Sequence, residues 1–199
     1  AASAPGNRQW LLTRLGEVAA WRGRPQDAER HYREALAIGQ DDTYLLAAWT
    51  DFLLDRDRPA EVVEALAGWE ASDVLLLRLA EAETRLGLSA AAAHRQALAD
   101  RYAAARLRGD TTHRAEEARF HLRIEREPAT ALALAAENFR VQREPRDARI
   151  LLEAAAAARD PAPARAALDW LETSAFEDAH LRDLAHQLGQ PANRQDGTR

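Results

Sequence analysis

The chain has 199 residues, 47% of them hydrophobic, a formal net charge of -5 and no cysteine, which is enough apolar content to bury a core in one domain or two small ones. The acidic balance excludes a global basic field for nucleic acid or anionic lipid, and no stretch approaches the ~18 consecutive apolar residues that span a bilayer. Without cysteine there can be no disulfide, thiolate-bound zinc or cysteine nucleophile.

Alanine and leucine dominate the apolar residues, and aromatics reach only 6%, so helix is favoured over sheet and an all-α protein is expected. Residues 1–8 read as an N-terminal arm. Its small-residue start, Ala1-Ala-Ser-Ala-Pro5, suits a mature end left by signal cleavage as well as a domain cut. The expectation leans slightly towards an exported, periplasmic location over a cytoplasmic one.

From residue 9 onward the chain repeats. Leu11, Leu12, Leu15, Val18 and Ala19 are spaced as one helix face, then comes the turn Gly23-Arg-Pro, then a second helical face of Ala28, Tyr32, Ala35 and Leu36. The turn returns at Asp57-Arg-Pro59, Gly87-Leu-Ser89, Arg126-Glu-Pro128 and Arg159-Asp-Pro161, at successive offsets of 34, 30, 39 and 33 residues. Proline or serine at the head of a second helix is physically sensible, because the first-turn N–H groups have no intrahelical acceptor. Each unit is therefore a helix pair that needs its neighbours to complete the burial of its apolar surface.

The first unit resembles the tetratricopeptide repeat (TPR) family. Leu15-Gly16, Gly23, Ala28, Tyr32 and Ala35-Leu36 stand where that family has its Leu-Gly, its turn Gly and its second-helix Ala, aromatic and Ala-Leu. The later units are more degenerate, and in the fourth Arg119 takes the place of a small residue, which predicts a wider or shifted helix crossing. Residues Asn138–Glu153, with Arg108-Gly-Asp110 upstream, are similar to the C-terminal part of longer, exported bacterial proteins of this family. The resemblance implies a right-handed superhelical solenoid over 9–189, with units at about 9–42, 43–72, 73–108, 110–145 and 146–174. A closing helix over 176–188 and a disordered tail over 190–199 complete it.

The resemblance also implies a site. The first helix of each unit would line a concave groove, with Glu17, Asp51, Glu81, Phe120 and Glu153 at one equivalent groove-facing position. Trp10, Trp21 and Tyr44 lie towards its open end. Four acidic rungs out of five suit a basic protein or peptide segment; alternatively, Arg14, Arg78, Arg85 and Arg149 neutralise the ladder from within. Thr13 and Glu17 stand where the family's chaperone-tail clamps use Lys and Asn, which disfavours a partner of that kind.

The expected function is a non-catalytic binding scaffold that needs no cofactor. Two rivals are a metal-handling or catalytic accessory centred on His113 and Glu117, and a self-assembly module docking through the open first repeat. His113, Glu117 and His121 share a helical stripe with Glu116 beside it, but eight residues between the histidines is about 12 Å, too far for both to reach one metal. The bland alternative is a solvated first turn capped by Asp110 or Thr111. His113, Glu116 and Phe120 remain the groove-wall candidates from this segment.

Overall fold

The computed structural model describes residues 5–189. The expected tail over 190–199 and the first four residues of the arm lie outside them. Eleven α-helices and no strand occur among the described residues. The expected arm is in part helical, since α1 runs Pro5–Trp21 and is followed by α2 Pro25–Leu36. Next come α3 Thr43–Asp55, α4 Pro59–Ala65, α5 Asp73–Leu86 and α6 Ala91–Leu107. Helix α7, Arg114–Phe120, passes directly into a π-helical turn, His121–Glu125, before α8 Pro128–Val141 and α9 Pro145–Ala158. A 3₁₀ turn, Ala162–Ala164, leads into α10 Arg165–Ser174, and the last helix, α11, is Ala179–Gly189.

Local chemistry places the breaks. Pro25, Pro59, Pro128 and Pro145 each open a helix, where the missing N–H loses no intrahelical bond. Asp42 caps α3 by accepting from the backbone N–H of Tyr44 and Leu45. Gly87 ends α5 in the left-handed conformation at φ +67, which costs glycine least. Asp147 closes a capping box with Glu144 and also accepts from Asn138 Nδ2 at 2.8 Å, so the poor mid-helix asparagine of α8 is explained by a buried bond to the next helix.

The odd-numbered helices stack in series. Helix α1 packs on α2 and α3, α3 on α4 and α5, α5 on α6 and α7, α7 on α8 and α9, and α9 on α10 and α11. The apolar core follows that order in three clusters, the first built around Tyr32, Trp49 and Phe52, whose rings lie 5.6–5.8 Å apart. Gly16 lets this happen, because a Cβ there would stand 2.8 Å from the Tyr32 ring. Burying a side chain such as Tyr32 or Leu53, both nearly inaccessible, contributes about 1.5–3 kcal/mol.

The two ends of the series meet. Trp21 at the end of α1 packs edge-on against Phe176, between α10 and α11, at 5.0 Å, and Phe176 in turn contacts Trp170. Beside them Arg22 Nε donates to Glu177 Oε2 at 3.0 Å. On the inside Arg149 of α9 reaches across to Asp55 of α3 with two bonds of 2.6 and 2.8 Å. The inner face of the odd helices therefore curls tightly on itself.

Candidate functional site

Glu17, Asp51, Glu81 and Glu153 all project from the odd helices and all take part in short ion pairs or hydrogen bonds. Glu17 Oε2 accepts from Arg14 at 2.6 Å, and both its oxygens are within 2.8 Å of the Tyr44 hydroxyl, which donates to it. Asp51 accepts from Arg78 and from Arg119, each at 2.6 Å. Glu81, whose side chain is only 2% exposed, pairs with Arg85 and with Arg119. Glu153 gathers Arg123, Arg149 and His180 at 2.7, 2.9 and 3.0 Å.

Arg14, Arg78, Arg85 and Arg149 thus meet the acidic rungs from within, and two further cations, Arg119 and Arg123, complete the set. Burial pushes the Asp51 carboxyl up, but Arg119 and Arg78 outweigh it and hold it at about 2. Glu81 and Glu153 are likewise pulled down against burial, chiefly by Arg119 and by Arg149. The Arg119 guanidinium, although desolvated, is held charged by Asp51 and Glu81. Glu17 differs. Burial raises its pKa and the bonds from Tyr44 and Arg14 only partly offset that, with Asp51 adding like-charge repulsion.

Phe120 does not face this interior. It is 3% exposed, belongs to the core with Leu76, Leu77, Leu98 and Ile124, and stacks obliquely on Tyr102 at 5.5 Å. The reason is the π turn. Each expected rung lies eight residues before its turn residue, a count valid for regular α-helix. The π turn over His121–Glu125 adds one residue to that count, so Arg119 takes the rung and Phe120 rotates into the core. With the same slip, the small residue expected just before the rung is Ala118, which is fully buried. The fourth rung is a cation between two anions.

The aromatic candidates have separate fates. Trp21 is covered by Phe176 and by the Arg14 guanidinium 5.5 Å from its ring. Tyr44 is the hydrogen-bond relay between Arg14 and Glu17. Trp10 is 54% exposed.

His113, Glu117 and His121 point to different neighbours. Glu117 pairs with Arg106, and His121 Nδ1 lies 3.0 Å from Glu127 Oε2. His113 and Glu116 instead line a hollow of about 200 Å³ between α5, α6 and the start of α7. No group of three or more His, Asp or Glu side chains placed to hold a metal occurs among the described residues. Asp110 accepts from Thr112 N at 2.9 Å after Gly109 turns at φ +70, and α7 begins only later, with His113 as a cap residue that makes no side-chain bond.

In comparisons with known proteins, no family model, curated protein or solved structure matches the chain.

Proposed function

We propose that the chain is a non-catalytic protein-binding scaffold of TPR-like helix pairs, and that its partner docks on the bare face of α1. The inner acidic rungs are a poor docking surface for a basic segment, because a partner's cation would have to displace an arginine already bonded there.

One observation carries the reading. A shift of 34 residues lays Leu11, Leu15 and Val18 of α1 on Leu45, Trp49 and Phe52 of α3. The α3 residues are 1%, 5% and 5% exposed beneath the preceding pair, whereas Leu11 and Leu15 are 51% and 49% exposed. With Trp10 they span an arc of about 140° on α1, counting about 100° per residue. An apolar patch of this kind on a folded surface marks an interaction site. Its pattern fits a docked helix pair that packs on α1 as α1 and α2 pack on α3.

The test is a pull-down from the native host with the wild-type chain and with a Leu11→Asp/Leu15→Asp variant, paired with sedimentation of the purified protein. A partner retained by the wild type and lost by the variant, with both remaining monomeric, supports the reading. Concentration-dependent dimerisation abolished by the same variant would make a second copy the occupant instead. A monomer with no partner sensitive to the substitution rejects the α1 face.

A further inference from the structure

In the covered interface between the first two helix pairs, donors of the second pair reach back to carboxylates of the first. Tyr44 of α3 donates to Glu17 of α1 at 2.8 Å. Arg58, just before Pro59 at the head of α4, donates to Glu29 of α2 through two bonds of 3.0 and 3.1 Å. The inner bond recurs along the series, since Arg78 of α5 donates to Asp51 of α3, and His180 of α11 lies 3.0 Å from Glu153 of α9.

Helices α1 and α2 carry the same two donors again, with nothing to bond. The 34-residue shift lays Trp10 on Tyr44 and Arg24 on Arg58. Trp10 stands seven residues before Glu17, as Tyr44 does before Asp51; this is close to two helical turns, so each ring lies in line with its own helix's acid. Arg24 and Arg58 each form the N-cap of a second helix at nearly the same backbone angle, φ -110 and -114. Yet the Trp10 indole N–H and the Arg24 guanidinium make no hydrogen bond or ion pair among the described residues, and both side chains are exposed. Asp27, at the place of the Glu61 that also holds Arg58, is paired with Arg30 instead.

Charge points the same way. Between Gly6 and Arg24 the exposed charged residues are Arg8, Arg22 and Arg24, with no exposed carboxylate, although the whole chain carries a net charge of -5. Arg22 is bonded to Glu177, whereas Arg8 and Arg24 have no partner among the described residues. A basic margin around an apolar stripe favours an acidic occupant and repels a basic one. It also opposes a second copy docked face to face, which would set arginine against arginine.

We infer that the segment docking on α1 is an acidic helix pair, whose first helix presents a carboxylate to Trp10 Nε1 and whose second presents one to the Arg24 guanidinium. The first bond extends the inner row of acids by one rung. An indole N–H only donates, so it demands an acceptor there. The second is the two-pronged, charge-assisted kind that Arg58 makes with Glu29. The acidic occupant presupposes the α1 docking face and adds the chemistry of what docks there.

The experiment titrates the full chain with three stapled helical peptides that share one leucine stripe and differ only in the flanking residues, which are glutamate, glutamine or lysine. Binding is followed by calorimetry and tryptophan fluorescence. The glutamate peptide is expected to bind about tenfold more tightly than the glutamine peptide, as for gained charge-assisted bonds, and the lysine peptide to fail. Arg24→Glu should weaken the glutamate peptide about tenfold or more and let the lysine peptide bind; Trp10→Phe, which keeps a ring but loses the N–H, should weaken it about fivefold. Both positions are exposed, so neither change disturbs the core. Equal affinity for the three peptides, absence of binding, or glutamate-peptide binding indifferent to Arg24→Glu and Trp10→Phe would each overturn the acidic occupant. Dimerisation of the wild type lost in Leu11→Asp/Leu15→Asp would overturn it by making a second copy the occupant. Three peptides bound equally and all lost in Leu11→Asp/Leu15→Asp would reject the acidic preference while leaving the α1 face standing, so the two failures are distinguishable.

Discussion

Helices α1 and α3 carry nearly the same pattern 34 residues apart, yet one is covered and the other bare. On α3, Leu45, Trp49 and Phe52 are buried and Asp51 is held ionised by two arginines. On α1, Leu11 and Leu15 face outward, and the equivalent acid, Glu17, has a raised pKa. The difference is made by neighbours rather than by the helices themselves. Helix α3 has α1 and α2 on one side and α4 and α5 on the other, with Arg119 of α7 reaching Asp51, whereas the Leu11 and Leu15 face of α1 stays bare and the contact with Phe176 is made only at the C-terminal end of that helix.

The largest effect that would break this contrast comes from Arg119, which serves both Asp51 and Glu81. Arg119→Met should cost about 3–5 kcal/mol in denaturant unfolding, because it takes the shared cation from the almost inaccessible Glu81 carboxylate and from the partly exposed Asp51. Adding Asp51→Asn and Glu81→Gln to that variant should recover much of the loss. A cost below about 1 kcal/mol would mean that the inner network is solvated.

Next in size is truncation of the covered apolar face. Leu45→Ala should lose about 2–5 kcal/mol, measured as a fall in the unfolding midpoint at constant slope.

The two acids should then respond to pH with opposite sign. The folded Asp51 carboxyl is depressed to about 2 from an ordinary value of 3.8, so it stabilises the fold above pH 4, and that contribution of about 1–2 kcal/mol is lost as pH falls towards 2. Glu17 is raised, so its native state binds the proton more tightly, and its favourable contribution is present at low pH and lost as pH rises. Asp51→Asn should therefore flatten the acid limb of stability, whereas Glu17→Gln should not lower stability at neutral pH.

The smallest effect is expected at the bare face. Leu11→Ala should change the stability of the isolated chain by no more than about 0.5 kcal/mol, against the much larger cost at its counterpart Leu45. A large loss there would show that α1 is covered in solution.

The all-helical architecture was legible in the apolar spacing and in the turn prolines, which open α2, α4 and α8 as their position in the pattern requires. Of the candidate site, Glu17, Asp51, Glu81 and Glu153 do project from equivalent places, and the arginines flanking them were visible as neutralising partners. Arg119 was not, because its role depends on a π turn that adds a residue without leaving a proline or glycine behind. The 39-residue offset between Ser89 and Pro128 was the available sign. It does not by itself separate a longer loop from an overwound or underwound helix.

The contact of Trp21 and Arg22 with Phe176 and Glu177 bears on how the molecule comes apart. In a linear array of helix pairs each unit feels only its neighbours, so the terminal pair frays first and loss proceeds unit by unit. Here the first and last described helix pairs clasp each other across 155 residues of sequence, so neither pair is held by its sequence neighbours alone. Freeing the first pair means breaking contacts with the last as well, and the array gains an all-or-none character that its local contacts alone would not give it.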